Sequence, residues 1–218
     1  MRKILLFSIL FCFLLGLEFD LSLGNAYSFS SDIKINSNSS SNESINLTSR
    51  PNTRGFKSPQ YYSIRMRKSN KELELIHHKL YFENNLPDNI THFEFTDGYN
   101  LLLMNFLYPF SIYEYVDVFS LRFGLGTVVV HPDVTIDEVR YYKKGGGLIP
   151  TLWKSGYQIG GISSQISLNF NKNISNKYSF NSELKVSHAL TDVDLETDYT
   201  INIPNTSIHF LMGISFGK

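Results

Sequence analysis

Cysteine is nearly absent from this 218-residue chain: its one copy, Cys12, lies inside an apolar run near the N-terminus. A single thiol closes no intramolecular disulfide, so a small secreted scaffold stapled by disulfides is excluded. Cys12 follows Leu10 and Phe11 instead of a small residue, which excludes lipid attachment at a lipoprotein signal. An excess of charge of either sign is also missing. Twenty Lys and Arg offset twenty Asp and Glu, leaving no electrostatic basis for a nucleic-acid partner. Beyond residue 17 no run approaches the roughly 20 consecutive apolar residues that a spanning helix needs, so a helical membrane protein is excluded as well. Proline is sparse at 7, while Phe and Tyr reach 17 and 13, a balance that suits strands.

The N-terminus has the form of a secretory signal. Arg2 and Lys3 precede the apolar run Ile4 to Leu17, and Gly24-Asn25-Ala26 supplies small residues for cleavage after Ala26. Residues 1–26 are therefore expected to be a signal peptide. Residues 27–60 follow as a second unit, with a possible first strand at Tyr27 to Ile35 and a Ser/Asn-rich stretch from Asn36 to Pro59. That stretch is too poor in apolar residues to order itself cheaply and is expected to be a flexible loop or linker.

Residues 61–218 carry the dominant signal, a hydrophobic period of two. In the last segment Ile208, Phe210, Met212, Ile214 and Phe216 share one face, opposite His209, Leu211, Gly213 and Ser215. Such alternation sends neighbouring side chains to opposite sides of a strand. The same pattern marks Tyr61–Arg67, Glu72–Phe82, Thr91–Phe106, Asp117–Val130, Gly156–Phe170 and Tyr178–His188. Behind a secretory signal, an aromatic-rich apolar face backed by a small and polar one fits lipid outside, a polar interior and no open backbone edge. The expected fold is all-β: an antiparallel up-and-down transmembrane β-barrel. Seven strands are clear, and an even number is required in bacterial single-chain barrels. Taking Tyr27 to Ile35 as the first strand gives eight and sends every long connection to one side.

An eight-stranded barrel is filled by its own side chains and leaves no wide solute pore. The expected interior polar set is His92, Glu94, Arg122, Gln165, Glu183 and Lys185, with His209 from the last strand. Within it two acids balance two bases, consistent with ion pairs that hold the barrel closed. Reactive chemistry has few candidates. Glu74 and His78 share a face in Glu72–Lys79, and histidine is the usual general base near neutral pH. Adjacent His77 and His78 point to opposite faces and cannot chelate one metal together, so no metal and no cofactor is expected. His131 opens the long loop His131–Lys154 and is a further weak catalytic candidate. Gly145-Gly146-Gly147 lacks the Lys-Ser/Thr of a phosphate loop and reads as flexibility. Trp153, Tyr141, Tyr142 and Tyr157 look like an interfacial aromatic girdle.

From about Tyr61 to Phe216 the chain resembles the small eight-stranded outer-membrane barrels, a group that includes adhesin-like structural barrels and lipid A-modifying enzymes. The stretches Leu75-Ile76-His77-His78-Lys79-Leu80-Tyr81, Gly98-Tyr99-Asn100 and His131-Pro132 are similar to uncharacterised proteobacterial barrels. The resemblance implies residence in the outer membrane of a Gram-negative bacterium and contact with outer-membrane lipids and lipopolysaccharide. It also implies insertion by the barrel-assembly machinery, which reads an alternating terminal strand closed by an aromatic, here Phe216. A monomeric structural or interaction barrel acting through external loops is the first expectation. The alternatives are an enzyme that modifies lipid A acyl chains and, more weakly, a secreted soluble β-domain.

Overall fold

The period-two segments close into a ring. In the computed structural model, residues 16–39, 44–110, 118–142, 156–195 and 198–217 are described. They form fifteen strands: β1 (Glu18–Ser28), β2 (Ser31–Ser37), β3 (Ser44–Ser49), β4 (Tyr62–Lys68), β5 (Lys71–His77), β6 (Leu80–Tyr81), β7 (Ile90–Phe95) and β8 (Tyr99–Phe110). These are followed by β9 (Val118–Val130), β10 (Asp133–Ile136), β11 (Val139–Tyr142), β12 (Gln158–Asn173), β13 (Tyr178–Leu195), β14 (Tyr199–Asn202) and β15 (Asn205–Phe216). Eight of them pair in the order β1-β4-β5-β8-β9-β12-β13-β15, and β15 returns to β1. Every neighbouring pair in this ring is antiparallel.

The eighth strand differs from the expected one. Tyr27 to Ile35 does not form a single strand; it spans the end of β1 and most of β2, and β2 lies outside the ring. Closure is made by Glu18–Ser28, which runs from Phe19 opposite Phe216 to Ser28 opposite Ser207 on one side. On its other side Glu18 opposes Arg67 and Leu23 opposes Tyr62. Cleavage after Ala26 would leave only Tyr27 and Ser28 of this strand and open the edges of β4 and β15. Unpaired edges are not tolerated in hydrocarbon, so the ring draws on residues on both sides of the expected boundary at residue 26.

Alternation then fixes the two surfaces. Leu21, Leu23, Met104, Phe106, Phe123, Leu125, Ile166, Leu168, Leu184, Phe210 and Met212 stand exposed on the outside. Their sequence neighbours Ser22, Asn105, Arg122, Ser167, Glu183, Lys185 and His209 are buried inside. At the end carrying the short β4–β5 and β12–β13 turns, aromatic rings gather. Phe19 and Tyr178 flank Phe216, and Phe119 lies between Phe110 and Phe170. No helix among the described residues is long and apolar enough to cross a membrane.

The opposite end is structured where sequence suggested loops. Glu72–Phe82 and Thr91–Phe106 each divide into a barrel strand and a strand beyond the rim, with Gly98 at φ 142° turning the chain between β7 and β8. β13 continues to Leu195 and pairs with β14, which pairs with β2, which pairs with β3. The Ser/Asn-rich stretch thus contributes a strand. A second sheet, β11-β10-β7-β6, is formed by the connections after β5 and β9. The inner faces of the two sheets meet in one cluster: Ile33, Ile35, Val193, Leu195 and Ile201 from one, and Phe93, Phe95, Val134 and Ile136 from the other. The barrel therefore carries a two-layered β cap, and its apolar core runs on into the ring through Tyr99, Leu101, Leu103 and Val128. Gly145–Gly147, Pro150 and Trp153 lie outside the described residues, as do the side chain of Tyr142 and residues 111–117 between β8 and β9.

Candidate functional site

The interior is built in two layers, and the lower one is ionic. β4 turns Arg65 inward, β5 Glu72 and Glu74, β9 Arg122, and β13 Glu183 and Lys185; all six are buried. Arg65 Nε donates to Glu74 Oε1 at 2.9 Å, and the same guanidinium is hydrogen-bonded to Glu183. Arg122 Nε lies 2.8 Å from Glu72 Oε1 and its Nη1 2.7 Å from Glu183 Oε1. Lys185 Nζ donates to Glu74 Oε1 at 2.6 Å. Asp20 of β1 reaches Arg65 at 3.8 Å.

Amides complete this layer. Asn105 Nδ2 donates to Glu72 and Glu74, each at 2.8 Å, and Gln165 Nε2 donates to Glu74 Oε2 at 2.6 Å. Room for them comes from Gly124, where a Cβ would sit 2.8 Å from Gln165 Cγ. Desolvated charges persist only when paired and hydrogen-bonded, and here each of the three glutamates has more than one donor or cation beside it.

The upper layer, nearer the cap, is aromatic and uncharged in its contacts. Tyr61 Oη and His209 Nδ1 are 2.7 Å apart, and Ser187 Oγ and His209 Nε2 are also 2.7 Å apart. His78 Nε2 lies 3.4 Å from Ser207 Oγ, and the two imidazole rings meet edge-on at 5.2 Å. Tyr99 Oη contacts Thr191 Oγ1 at 2.6 Å and donates to the Ile203 carbonyl at 3.1 Å. His78 and His209 are fully buried, so no substrate reaches them in this arrangement.

The sequence-derived residues are distributed unevenly over this picture. Arg122, Gln165, Glu183, Lys185 and His209 face the interior. His92 and Glu94 do not: they lie on β7 in the cap, with side chains 42% and 21% exposed. The reason is the break at Gly98, which separates their strand from the barrel strand that follows. Glu74 and His78 are both interior, but Glu74 is held by Arg65, Lys185 and amides in the layer below His78. His77 turns the other way, stacks on Tyr62 at 5.0 Å and bonds Asn100 Oδ1 through Nδ1 at 2.8 Å. His131 stands at the rim, 3.6 Å from Asp97 and 5.1 Å from the Tyr157 ring. These histidines form no shared catalytic group.

Asp20, Arg65 and Glu72 were missed, and Tyr61 and Asn105 with them. Arg65 and Glu72 were legible as inward positions, since Ile64 and Met66 flank the first and Leu73 follows the second.

No family model matches the chain, and no curated protein does. Among solved structures, Neisserial surface protein A is 10% identical, covering 93% of this chain and 97% of its own, at a TM-score of 0.48. The attachment invasion locus protein Ail of Yersinia pestis is 11% identical over 91% and 98%, at 0.35. The outer membrane protease OmpT of Escherichia coli is 9% identical over 93% and 96%, at 0.41. At these identities and scores the likenesses lend nothing to function, and the fold class rests on the ring of strands. A closed eight-stranded antiparallel ring with an apolar outside and a filled polar inside is a transmembrane β-barrel of the outer-membrane type.

Proposed function

We propose that this protein is a monomeric outer-membrane barrel whose interior is closed by ion pairs and whose cap is the working surface, presented outward for structural or interaction duties. The observation that carries the reading is the joint placement of the sealed interior and the β cap. Every long connection leaves the ring at the same end, and those connections fold onto one another over a shared core. In bacterial barrels the longer loops face the outside and the short turns the periplasm. A ring with no open edge needs no second copy to satisfy its backbone, which supports the monomer.

Outer-membrane lipids are the partners of the barrel wall. Beside the cap a groove of about 480 Å³ joins Ile208 and Phe210 to Arg50 and Arg54. Apolar residues below cations suit the acyl chains and phosphates of lipopolysaccharide. The terminal strand β15, closed by Phe216, supports delivery through the barrel-assembly machinery.

The alternative, an enzyme acting on lipid A acyl chains, has one feature in its favour, the Ser187–His209 contact, but both groups are buried beneath the cap. Mass profiles of lipid A from cells with and without the protein separate the two. Unchanged acylation is expected, together with heat-modifiable gel migration of the folded barrel and no steady conductance in planar bilayers. A changed acyl pattern that is lost in Ser187→Ala would replace the structural reading with the enzymatic one.

A further inference from the structure

On the outer face of the cap, β7 and β10 place two carboxylates directly opposite one another. Asp133 pairs with Glu94 across the ladder, and Thr135 pairs with His92. Val134, Ile136, Phe93 and Phe95 take the inner face, so Asp133, Glu94 and His92 project together on the other. Like charges directly opposed on neighbouring strands repel and destabilise the pair. The third side chain is an imidazole aimed at both: His92 Nε2 is 3.5 Å from Glu94 Oε1 and 3.8 Å from Asp133 Oδ2. One donor atom from each of the three residues lies within 4.8 Å of the others.

We propose that His92, Glu94 and Asp133 form a binding site for a divalent transition metal, of which zinc is the representative ion. Zinc binds imidazole nitrogen and carboxylate oxygen at about 2.0–2.2 Å. Two ligands of a tetrahedral ion at that range stand roughly 3.4 Å apart, close to the separations His92 already makes with each acid. Small side-chain rotations, with no movement of the strands, bring the three atoms onto one ion.

The donor set decides the class of metal. One nitrogen and two oxygens suit zinc or manganese, whereas calcium takes six to eight oxygens and magnesium keeps most of its water. His92 and Glu94 are partly exposed, so an ion can arrive from solution and keep water in its remaining position.

The neighbours orient two of the three ligands. Arg140 Nε donates to Asp133 Oδ1 at 2.8 Å, and its guanidinium also bonds Oδ2. Asp133 is thereby held in orientation with Oδ2 turned toward His92, and an arriving ion would displace Arg140 from Oδ2 while the bond to Oδ1 is kept. Thr96 Oγ1 donates to Glu94 Oε1 at 3.0 Å. Outer partners of this kind orient ligands and are part of most metal sites. Bound there, the ion would join the strand that follows β9 to the strand that precedes β8, fastening two connections of the cap to each other.

Full-length protein refolded in detergent micelles, free of added metal, is titrated with zinc chloride by calorimetry, and with cobalt(II) by its visible spectrum. One zinc per chain is expected, and cobalt should show the intense bands of a low-coordinate site. Magnesium should produce no comparable heat. His92→Ala, Glu94→Gln and Asp133→Asn should each weaken zinc by more than about tenfold, the smaller loss seen when only an orienting partner is removed. Heat-modifiable migration checks that each variant still folds. His77→Ala, away from the cluster, should bind as the parent does. The proposal is overturned if the parent binds no zinc, if His92→Ala binds as tightly as the parent, or if magnesium competes on equal terms.

Discussion

Arg65 and Arg67 offer a test in which residue type and strand are held while burial and the number of acidic partners change. Both are arginines on β4, two residues apart and therefore on the same face. Arg65 lies in the ionic layer with no exposed side-chain surface, between Glu74 and Glu183 and within 3.8 Å of Asp20 and Glu72. Arg67 pairs with Glu18 near the rim, where the two side chains are 14% and 31% exposed. Arg65→Ala leaves Glu72, Glu74 and Glu183 to share Arg122 and Lys185 and takes the neighbouring cation from Asp20. Removing one partner of a buried pair costs about 3–5 kcal/mol, because the remaining charge stays desolvated. Arg67→Ala breaks a pair that water can reach, worth about 0–1 kcal/mol.

The assay is reversible urea unfolding in lipid vesicles, with midpoints compared at equal slope so that the difference reports stability. Arg65→Ala should lose several times what Arg67→Ala loses. Adding Glu183→Gln to Arg65→Ala should recover part of the loss, since it reduces by one the excess of acids over bases that Arg65→Ala creates in the layer. Equal midpoints for the two arginine variants would refute the reasoning. The interior would then be wet enough to solvate a carboxylate, and the barrel could not be regarded as closed.

Three further outcomes are expected. Phe123 is 43% exposed on the outer wall midway along β9, so Phe123→Arg should cost about 2–4 kcal/mol in vesicles, the range for a cation at the bilayer midplane, while Phe123→Leu should be nearly silent; a fully stable arginine variant would place that face away from lipid. Mass analysis of protein purified from cell envelopes should find a mature N-terminus upstream of Glu18, and a chain beginning at Tyr27 would show that β1 does not close the ring. Asp133 titrates below the ordinary aspartate value of 3.8: burial acts upward, but the hydrogen bond and charge of Arg140 outweigh it, with His92 and His131 adding to the pull. A depressed acid pKa contributes stability that is complete above that ordinary value and lost as pH falls through the lower folded one. Limited proteolysis of the cap should therefore accelerate over that acid range in the parent, and Asp133→Asn should flatten the response.

The barrel wall was legible because lipid and interior impose opposite demands on alternate residues, and that contrast survives in Ile208 to Phe216 as in Asp117 to Val130. The cap was not, because strands that cross the rim keep their alternation while their surroundings change. Thr91–Phe106 reads as one strand, yet Phe93 and Phe95 stand on β7 in the cap and Leu101 and Leu103 on β8 in the ring. Asp97, the one residue that breaks the apolar side, marks the junction beside Gly98. The same blindness placed His92 and Glu94 inside the barrel, although their pattern alone cannot say which end of a strand enters the membrane. Ser/Asn-rich composition likewise hid β3, whose buried Leu47 is the apolar anchor in a polar run.

The N-terminal boundary shows how two sequence signals can overlap. An apolar run after Arg2 and Lys3 has the form expected of a leader, and nothing in its hydrophobicity announces where it stops. What changes is the period. From Glu18 the chain reads Glu-Phe-Asp-Leu-Ser-Leu, polar and apolar in strict turn, and the polar members face the interior, where Asp20 approaches Arg65 and Ser22 donates to Asn181 Oδ1 at 2.9 Å. A leader needs no second face; a strand that closes a barrel does. The small residues Gly24-Asn25-Ala26, which read as a cleavage site, also pair with Leu211, Phe210 and His209 in the ring. A Cβ on Gly24 would lie 3.1 Å from Leu211 Cα, and Asn25 Oδ1 accepts the Gly55 amide at 3.0 Å. Their size serves close backbone packing at the rim, where β1 leaves the ring and the cap begins.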